Sequence, residues 1–468
     1  MNTLLAEDAL RVLALNDLGK STRPTAKLYP HQWLWDSAFI AIGLRHKDVQ
    51  RAKDEILSLL DGQWKNGMIP YIIFNDATEY HAGPTLWRSE VSPHCPPHIK
   101  STGGTQPAMI AEAVVRIGQS LSPKERKIWY KQVYPRLSEY HEWLYRDRDP
   151  ERTGLPVLFH SWETGLDNNP PWMEMLHAHA LSSRLWLMDK SKTLMKFMER
   201  FRKDTSVVPA NQRMSTLELM AFYDLVRTMR KLKYDDAELY KKSKLVVQDV
   251  GFNSILVRAT QHLGDIAKQI GQPLPPLTAK AYKRGVSVLD TLWDEETGYY
   301  YNKDMRTGAL IKTPTISSFL PLYAGKLPKE NVQALLRHLR DPLSFGAKYP
   351  VPSTPLNSPW FKPQCYWQGP TWFNVNWLLI QGLRNNDAAE EAQRIKSSLL
   401  RLVKKHGMWE YFSPVDGMPA GAPNFSWTAS LTLELLSETP KPIDTTEMSQ
   451  YSRSKGRGAR RGVAASTH

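Results

Sequence analysis

Several things are scarce in this chain, and each shortage narrows what it can be. Two cysteines, Cys95 and Cys365, occur in 468 residues, too few for a disulfide framework. No run of about 18 apolar residues is present, so no segment reads as a membrane-spanning helix. The opening residues MNTLLAED carry acids early and lack both the basic and the apolar region of an export signal. A cytoplasmic protein without a membrane partner is expected. Strand patterning is equally sparse, confined to 68–73, 155–158 and 299–301, which could pair as small hairpins. His94-Cys95-Pro96-Pro97-His98 holds three donor-type side chains, but no second ligand pair at zinc spacing follows, so neither a metal nor a cofactor is expected. Gly103-Gly104-Thr105-Gln106-Pro107 lacks the Lys-Ser/Thr of a phosphate loop and reads as a turn that leaves Gln106 available to a ligand.

Charge is not scarce, but it is unevenly placed. The net charge is +14, and five of the cations (Arg453, Lys455, Arg457, Arg460 and Arg461) lie in the last twenty residues without any acid. Such a segment buries too little apolar surface to fold. Residues 439–468 are therefore expected to form a disordered basic tail behind one domain at 1–438. The remaining excess is spread without a dense stripe, which disfavours nucleic acid as a partner. Whether the chain forms a homo-oligomer stays open at this level.

What the chain has in abundance is helical periodicity. Apolar residues recur at three- and four-residue steps over 4–18, 34–45, 48–61, 105–119, 124–147, 174–189, 215–232, 235–247, 252–271, 276–293, 329–340, 374–384, 387–405 and 427–437. Ser122-Pro123 and Ser215-Thr216 read as helix starts, and Gly251 and Gly407 as stops. Fold class all-α is the expectation, a toroid of paired helices with a few short strands. The long irregular stretches at 62–104, 148–173, 294–316, 341–373 and 406–426 then carry function, since loops of that length seldom persist in a compact domain without one.

Those stretches also hold clustered tryptophans. Of 16 Trp, groups fall at 33/35, 162/172, 360/367/372/377 and 409, several among Pro, Gly and Asn where no periodic core face exists. Indole faces pack against the apolar faces of sugars, and carboxylates stand beside them. Trp162-Glu163-Thr164-Gly165-Leu166-Asp167-Asn168-Asn169-Pro170 offers two acids. The apolar neighbours of Asp167 would raise its pKa, as a general acid requires. Glu163 is its rival, and an Asx turn is an alternative role for Asp167. Glu410, in Gly407-Met408-Trp409-Glu410-Tyr411-Phe412, follows Lys404-Lys405, whose charges would keep it ionised as a base or hold it in a surface ion pair. Asp416 reads as a turn residue. Asp36, in Trp33-Leu34-Trp35-Asp36-Ser37, can grip sugar hydroxyls or cap the helix that follows. Two carboxyls of opposite protonation are what glycosidic bond cleavage needs. A carbohydrate-binding protein without catalysis on the same scaffold is the competing reading.

Five pieces in this order resemble glycoside hydrolase family 63: His31-Gln32-Trp33-Leu34-Trp35-Asp36-Ser37-Ala38-Phe39, Gly104-Thr105-Gln106-Pro107, Trp162 to Asn168, Tyr366-Trp367-Gln368-Gly369-Pro370-Thr371-Trp372, and Trp409-Glu410-Tyr411-Phe412. The resemblance implies an (α/α)6 barrel and an inverting α-glycosidase with Asp167 as general acid and Glu410 as general base. It further implies that Trp35, Asp36, Gln106, Trp162, Tyr366, Trp367 and Trp372 wall the sugar pocket. Within the family the compact size is most similar to the mannosylglycerate and glucosylglycerate hydrolases, which implies a small carbohydrate substrate with a glycerate carboxylate. Arg213 is then a candidate partner for that carboxylate, with Tyr80, His81, Trp87 and Arg88 in a lid. A neutral α-glucoside or oligosaccharide is the alternative substrate.

Overall fold

Leu34–Leu44 carries the sequence LWDSAFIAIGL, apolar on almost every side, and all of its residues are buried. A helix without a polar face has to be surrounded. In the computed structural model, which describes residues 3–75, 80, 82–180, 202 and 204–438, it is. It packs between Ile110–Gln119 and Ser426–Ser437. Ile110–Gln119 meets Val250–Ile270, which meets the short helix Pro321–Ala324. That helix meets Phe373–Asn385, which in turn reaches Ser426–Ser437. Each helix of this inner layer therefore touches the next, and the last touches the first.

Amphipathic helices lie outside. Val49–Asp61 packs on Leu34–Leu44 and Ile110–Gln119, Pro123–Asp147 on Ile110–Gln119 and Val250–Ile270, Ala389–His406 on Phe373–Asn385, and Thr3–Leu15 on Ser426–Ser437. Ala389–His406 shows why one face suffices there: its buried residues include Ala392, Ile395, Leu399, Leu402 and Val403, at helical steps, with charged residues between them. The chain is mostly helical, with few strands. No helix among the described residues is long and apolar enough to cross a membrane.

The helix ends follow local chemistry. Ser122 and Glu125, and Ser215 and Glu218, form reciprocal capping boxes at the two expected starts. Gly407 ends its helix with φ 82°. Gly251 does not end one. It lies in the first turn of Val250–Ile270, capped by Asp249, whose carboxylate accepts from Phe252 N at 2.9 Å. The helix expected over 276–293 stops at Arg284, where Gly285 turns at φ 56° into a 3-10 segment.

The strands are shorter than the patterning suggested. Only Ile72–Ile73 of 68–73 is extended, paired with Gln32–Trp33, and Leu158 forms a single bridge to Val247. Tyr299–Tyr300 pairs with Trp293–Asp294. An unanticipated three-stranded sheet has Trp409–Phe412 between Thr371–Trp372 and Pro419–Pro423. The basic tail expected at 439–468, His81 and most of the helix expected at 174–189 lie outside the described residues.

Trp35 and Asp36, Trp372 and Phe373, and Ser426 and Trp427 stand at helix N-termini, next to the long loops. A buried ionic network runs from the first turn of Ile110–Gln119, at Glu112, to the last turns of Ser426–Ser437, at Glu434. Glu112 accepts from Arg116 Nε at 2.7 Å and Tyr323 Oη at 2.8 Å and contacts His262 Nε2 at 2.6 Å. Glu434 accepts from Arg116 and Arg45, each at 2.7 Å, and contacts His46 at 2.6 Å. These pairs tie the inner helices to one another.

Candidate active site

Gly165 shapes the site. The 3-10 turn Ser161–Thr164 ends at this residue with φ 74°, and a Cβ there would run into the Trp35 indole. Only glycine satisfies both the left-handed backbone and the close approach. The chain then turns back to present Asp167, whose carbonyl accepts from Ser161 Oγ. The next residue locks this loop to a distant one. Asn168 Oδ1 accepts from Trp367 N at 2.9 Å, and Gln368 Nε2 donates to Asn168 O at 3.2 Å. Tyr366, at the left-handed φ of 44°, donates its hydroxyl to Asp167 Oδ2 at 2.9 Å.

Glu410 arrives from the opposite side, on the central strand Trp409–Phe412. Its Oε2 accepts from Ala422 N at 2.9 Å across the sheet, and its Oε1 accepts from Tyr29 Oη at 3.0 Å. Gly421, at φ 73°, leaves room for that carboxylate, since a Cβ would collide with Oε2. Arg213 Nη1 donates to Tyr29 Oη at 2.8 Å and lies 3.9 Å from Glu410 Oε1, with its guanidinium 4.2 Å from the Tyr366 ring centre. Tyr29 and Tyr366 hydroxyls are 3.2 Å apart. Contacts of 2.9, 3.2 and 3.0 Å therefore link Asp167 Oδ2 to Glu410 Oε1, so those two oxygens are at most about 9 Å apart.

Both carboxyls face one cavity of about 70 Å3. Trp35, Asp36, Gln106, Trp162, Arg213, Tyr366 and Trp367 line it with them. Trp372 does not. It stands behind Trp367, stacked at 3.7 Å with an interplanar angle of 5°, and donates Nε1 to Tyr366 O at 2.9 Å. The wall assignment for Trp372 is thus corrected to a backing role, because the indole ahead of it takes the cavity face.

Glu163 is also removed from the cavity. Arg148 grips it through two donors at 2.8 and 3.1 Å, and Phe159 N and Thr105 N complete its shell at 3.0 and 3.3 Å. It braces the loop that presents Asp167. Asp36 is no helix cap. Trp33 holds that position and Asp36 sits in the first turn, directed into the cavity. The cation near Glu410 is Arg213 on a different loop, while Lys404 and Lys405 belong to the outer helix Ala389–His406. Of the lid residues, Tyr80 lines the cavity. Trp87 is buried and Arg88 pairs with Glu90 at 3.4 Å outside it. Trp33 of the tryptophan clusters lines it too, and so do Tyr29, Tyr71, Asp204, Phe425 and Trp427, which were not anticipated. Tyr29 had a signal, since it begins Tyr29-Pro30-His31 just before the Trp33 cluster. Asp204 had none.

Electrostatics separate the carboxyls. Burial pushes Asp167 up to about 7, helped by the Glu410 charge and opposed by the Tyr366 hydrogen bond and by Arg213. Burial also raises Glu410, and Arg213 with the Ala422 and Tyr29 hydrogen bonds pulls it back. Asp36 is pushed well up, mainly by burial and further by Glu410 and Asp167. A carboxyl that keeps its proton near neutrality and another beside a cation can supply and accept protons across one bound molecule.

A rigid helical scaffold with paired acids at the loop end of its inner helices fits a glycoside hydrolase. The description "mannosylglycerate hydrolase MGH1-like glycoside hydrolase domain" matches residues 29–428, and the chain belongs to this family, within glycoside hydrolase family 63. It is 36% identical to the mannosylglycerate hydrolase of Rubrobacter radiotolerans over 93% of this chain and 97% of that protein. It is 33% identical to the glucosylglycerate hydrolase of Mycolicibacterium hassiacum over 93% and 98%. The crystal structure of the family 63 mannosylglycerate hydrolase from Thermus thermophilus in complex with Tris and D-glycerate superposes with a TM-score of 0.84 at 35% identity, covering 93% of this chain and all of that one. The protein is a glycoside hydrolase.

Proposed function

We propose that the protein hydrolyses a small α-glycoside of glycerate, mannosylglycerate or glucosylglycerate, with inversion at the anomeric carbon. The observation that carries this reading is the pair Asp167 and Glu410 on one tryptophan-lined cavity with the guanidinium of Arg213 beside it. Asp167, protonated near neutrality, gives its proton to the glycosidic oxygen as that bond breaks. Glu410, ionised, takes a proton from a water that attacks the opposite face of the ring. Inverting enzymes separate the two carboxyls by about 6.5–9.5 Å to admit that water, and the ceiling of about 9 Å is compatible with it.

The other cavity residues serve binding. Trp35 and Trp427, in edge contact at 5.7 Å, offer indole surface to the sugar, while Asp36 and Gln106 supply polar contacts to its hydroxyls. Arg213 is suited to a carboxylate on the leaving group, because a guanidinium pairs with carboxylates through two parallel hydrogen bonds. The small volume of the cavity supports a compact glycoside over an oligosaccharide. We read the scaffold as an (α/α)6 barrel, a reading supported by the head-to-tail contacts of the inner helices and the flanking outer ones. Cys95 and Cys365 are both free, which supports a reducing, cytoplasmic setting.

The test is proton NMR of the sugar released from mannosylglycerate, glucosylglycerate and a neutral α-glucoside. Release of the inverted β-anomer first, from a glycerate glycoside, is expected. First release of the α-anomer overturns the inverting assignment, and preference for the neutral glucoside overturns the role of Arg213.

A further inference from the structure

An inverting cycle ends with its two carboxyls in the wrong states. The acid has lost its proton to the leaving group, and the base has gained one from water. Before the next substrate reacts, one proton has to travel from the second carboxyl to the first. We propose that Tyr29 and Tyr366 form a relay that returns this proton from Glu410 to Asp167, an inference that rests on the inverting reading above.

The geometry is continuous. Glu410 Oε1 is 3.0 Å from Tyr29 Oη, Tyr29 Oη is 3.2 Å from Tyr366 Oη, and Tyr366 Oη is 2.9 Å from Asp167 Oδ2. Both tyrosines are buried. Counting protons shows what the chain of oxygens selects. Each phenol has one proton to donate and two lone pairs. If both carboxyls are ionised, each tyrosine donates outward to its own carboxylate, and the 3.2 Å contact between the phenols holds no proton. If both carboxyls are protonated and donate inward, one phenol is left without an acceptor in the chain. Only with a single proton on the pair are all three contacts filled with no donor left over, and then in two orientations. In one, Asp167 donates to Tyr366, Tyr366 to Tyr29, and Tyr29 to Glu410. In the other, every donor is reversed. These are the states before and after one turnover.

The step between them balances. The Glu410 O–H bond breaks as Tyr29 Oη takes that proton. The proton originally on Tyr29 moves to Tyr366 Oη, and the one originally on Tyr366 moves to Asp167 Oδ2. Three O–H bonds break and three form, both phenols end neutral, and the net change is one proton moved. Arg213 favours this direction. It donates to Tyr29 Oη at 2.8 Å and lies 3.9 Å from Glu410, so its charge stabilises Glu410 as the carboxylate. The same guanidinium stabilises negative charge that develops on Tyr29 during transfer.

Rapid-quench kinetics on Tyr366→Phe and Tyr29→Phe test the relay, with whichever glycerate glycoside the unaltered enzyme hydrolyses. The two substitutions cut the chain at different oxygens, so misfolding of one leaves the other informative. The unaltered enzyme is expected to make product linearly from the first turnover. Each variant should show a burst of one product per site and then a steady rate lower by about tenfold or more, the scale of a lost proton-transfer group. Small buffer acids such as formic acid should accelerate that steady phase by carrying the proton instead. Equal loss in first and later turnovers without buffer rescue would assign the tyrosines to positioning alone and overturn the relay, as would no change in either variant.

A second measurement separates this failure from failure of the hydrolase reading, because it needs no substrate. Infrared titration of the Asp167 carboxyl is expected to show a midpoint that moves on Glu410→Gln, and either tyrosine substitution should at least halve that movement. A movement of undiminished size overturns the relay even if no glycoside is hydrolysed.

Discussion

The protein buries two sets of carboxyls, and it treats them in opposite ways. Asp167, Glu410 and Asp36 at the loop end are all pushed upward by burial, and among the described residues a single cation, Arg213, serves the two proposed to do chemistry. Glu112 and Glu434, away from the cavity, are as deeply buried, yet both are held below the usual carboxylate range. Burial alone would raise them too, but His262, Arg116 and Arg258 around Glu112, and His46, Arg116 and Arg45 around Glu434, reverse its effect. Burial therefore sets no charge state by itself, and the number of hydrogen-bonded cations decides. The first arrangement leaves acids poised to exchange protons, and the second makes them permanent anions that tie helices together.

The strongest way to break this contrast is to neutralise each set. Asp167→Asn and Glu410→Gln should each lower kcat by about 10²–10⁴-fold, as expected for a lost proton-transfer group. Thermal unfolding at pH 8 should find Asp167→Asn at least as stable as the parent, since the amide avoids a buried charge. A loss of stability with retained turnover would erase the distinction.

Glu434→Ala should do the reverse. It leaves Arg45 and part of Arg116 without their buried partner, a change that costs about 3–5 kcal/mol in comparable pairs. Denaturant titration measures this loss, and hydrolysis per folded molecule should stay close to the parent's. A selective fall in kcat would show that this network takes part in the chemistry.

The pH dependence sharpens the comparison with smaller effects. As the proposed acid, Asp167 has to carry its proton, so kcat/KM should fall as pH rises through about 7. Glu410 must be ionised, so activity should also fall on the acid side, from a pH above the ordinary 4.5 because its pKa is raised. Stability divides the two sets differently. With its folded pKa raised from 3.8 to about 7, Asp167 contributes stability in full below the ordinary value, and this is lost as pH rises toward and through 7. Glu112 and Glu434 are depressed, so their contribution is present above the ordinary 4.5 and is lost as pH falls through their lowered values. Thermal midpoints should therefore flatten between pH 3.8 and about 7 in Asp167→Asn and below 4.5 in Glu434→Gln. The same profile in both would sink the assignment.

Much of the scaffold was legible because inner and outer helices repeat apolar residues at helical spacing, whatever their neighbours. Gly251 misled because a glycine opening a helix for close packing against Ser317 looks the same in sequence as one that ends a helix. Trp409–Phe412 escaped because a strand buried on both faces from Glu410 to Phe412 shows no alternation, and its partner Pro419–Pro423 reads PAGAP, a composition that suggests a turn. At the site, the aromatic and acidic clusters marked the right loops. Spacing could not separate Asp167 from Glu163, since only Arg148, fifteen residues before Glu163, reveals which of them is pinned away from the cavity. Nor could it place Trp372 behind Trp367, or bring Arg213 to Glu410. The last of these joins segments almost two hundred residues apart, and no local pattern encodes it.

The inner ring closes late in the chain. Its closing helix is the last one described, and Ser430 on that helix accepts from Gly43 N at 3.0 Å and donates to Ile40 O at 2.7 Å, while Asn16 reaches Asn424 O at 2.8 Å. A Cβ at Gly43 would strike Ser430, so the seam admits little slack. During synthesis the first helices emerge from the ribosome long before their partner exists and must wait with apolar surfaces open. Synthesis must therefore reach that last helix before the first ones can bury their apolar faces, and until then those faces favour association with other chains.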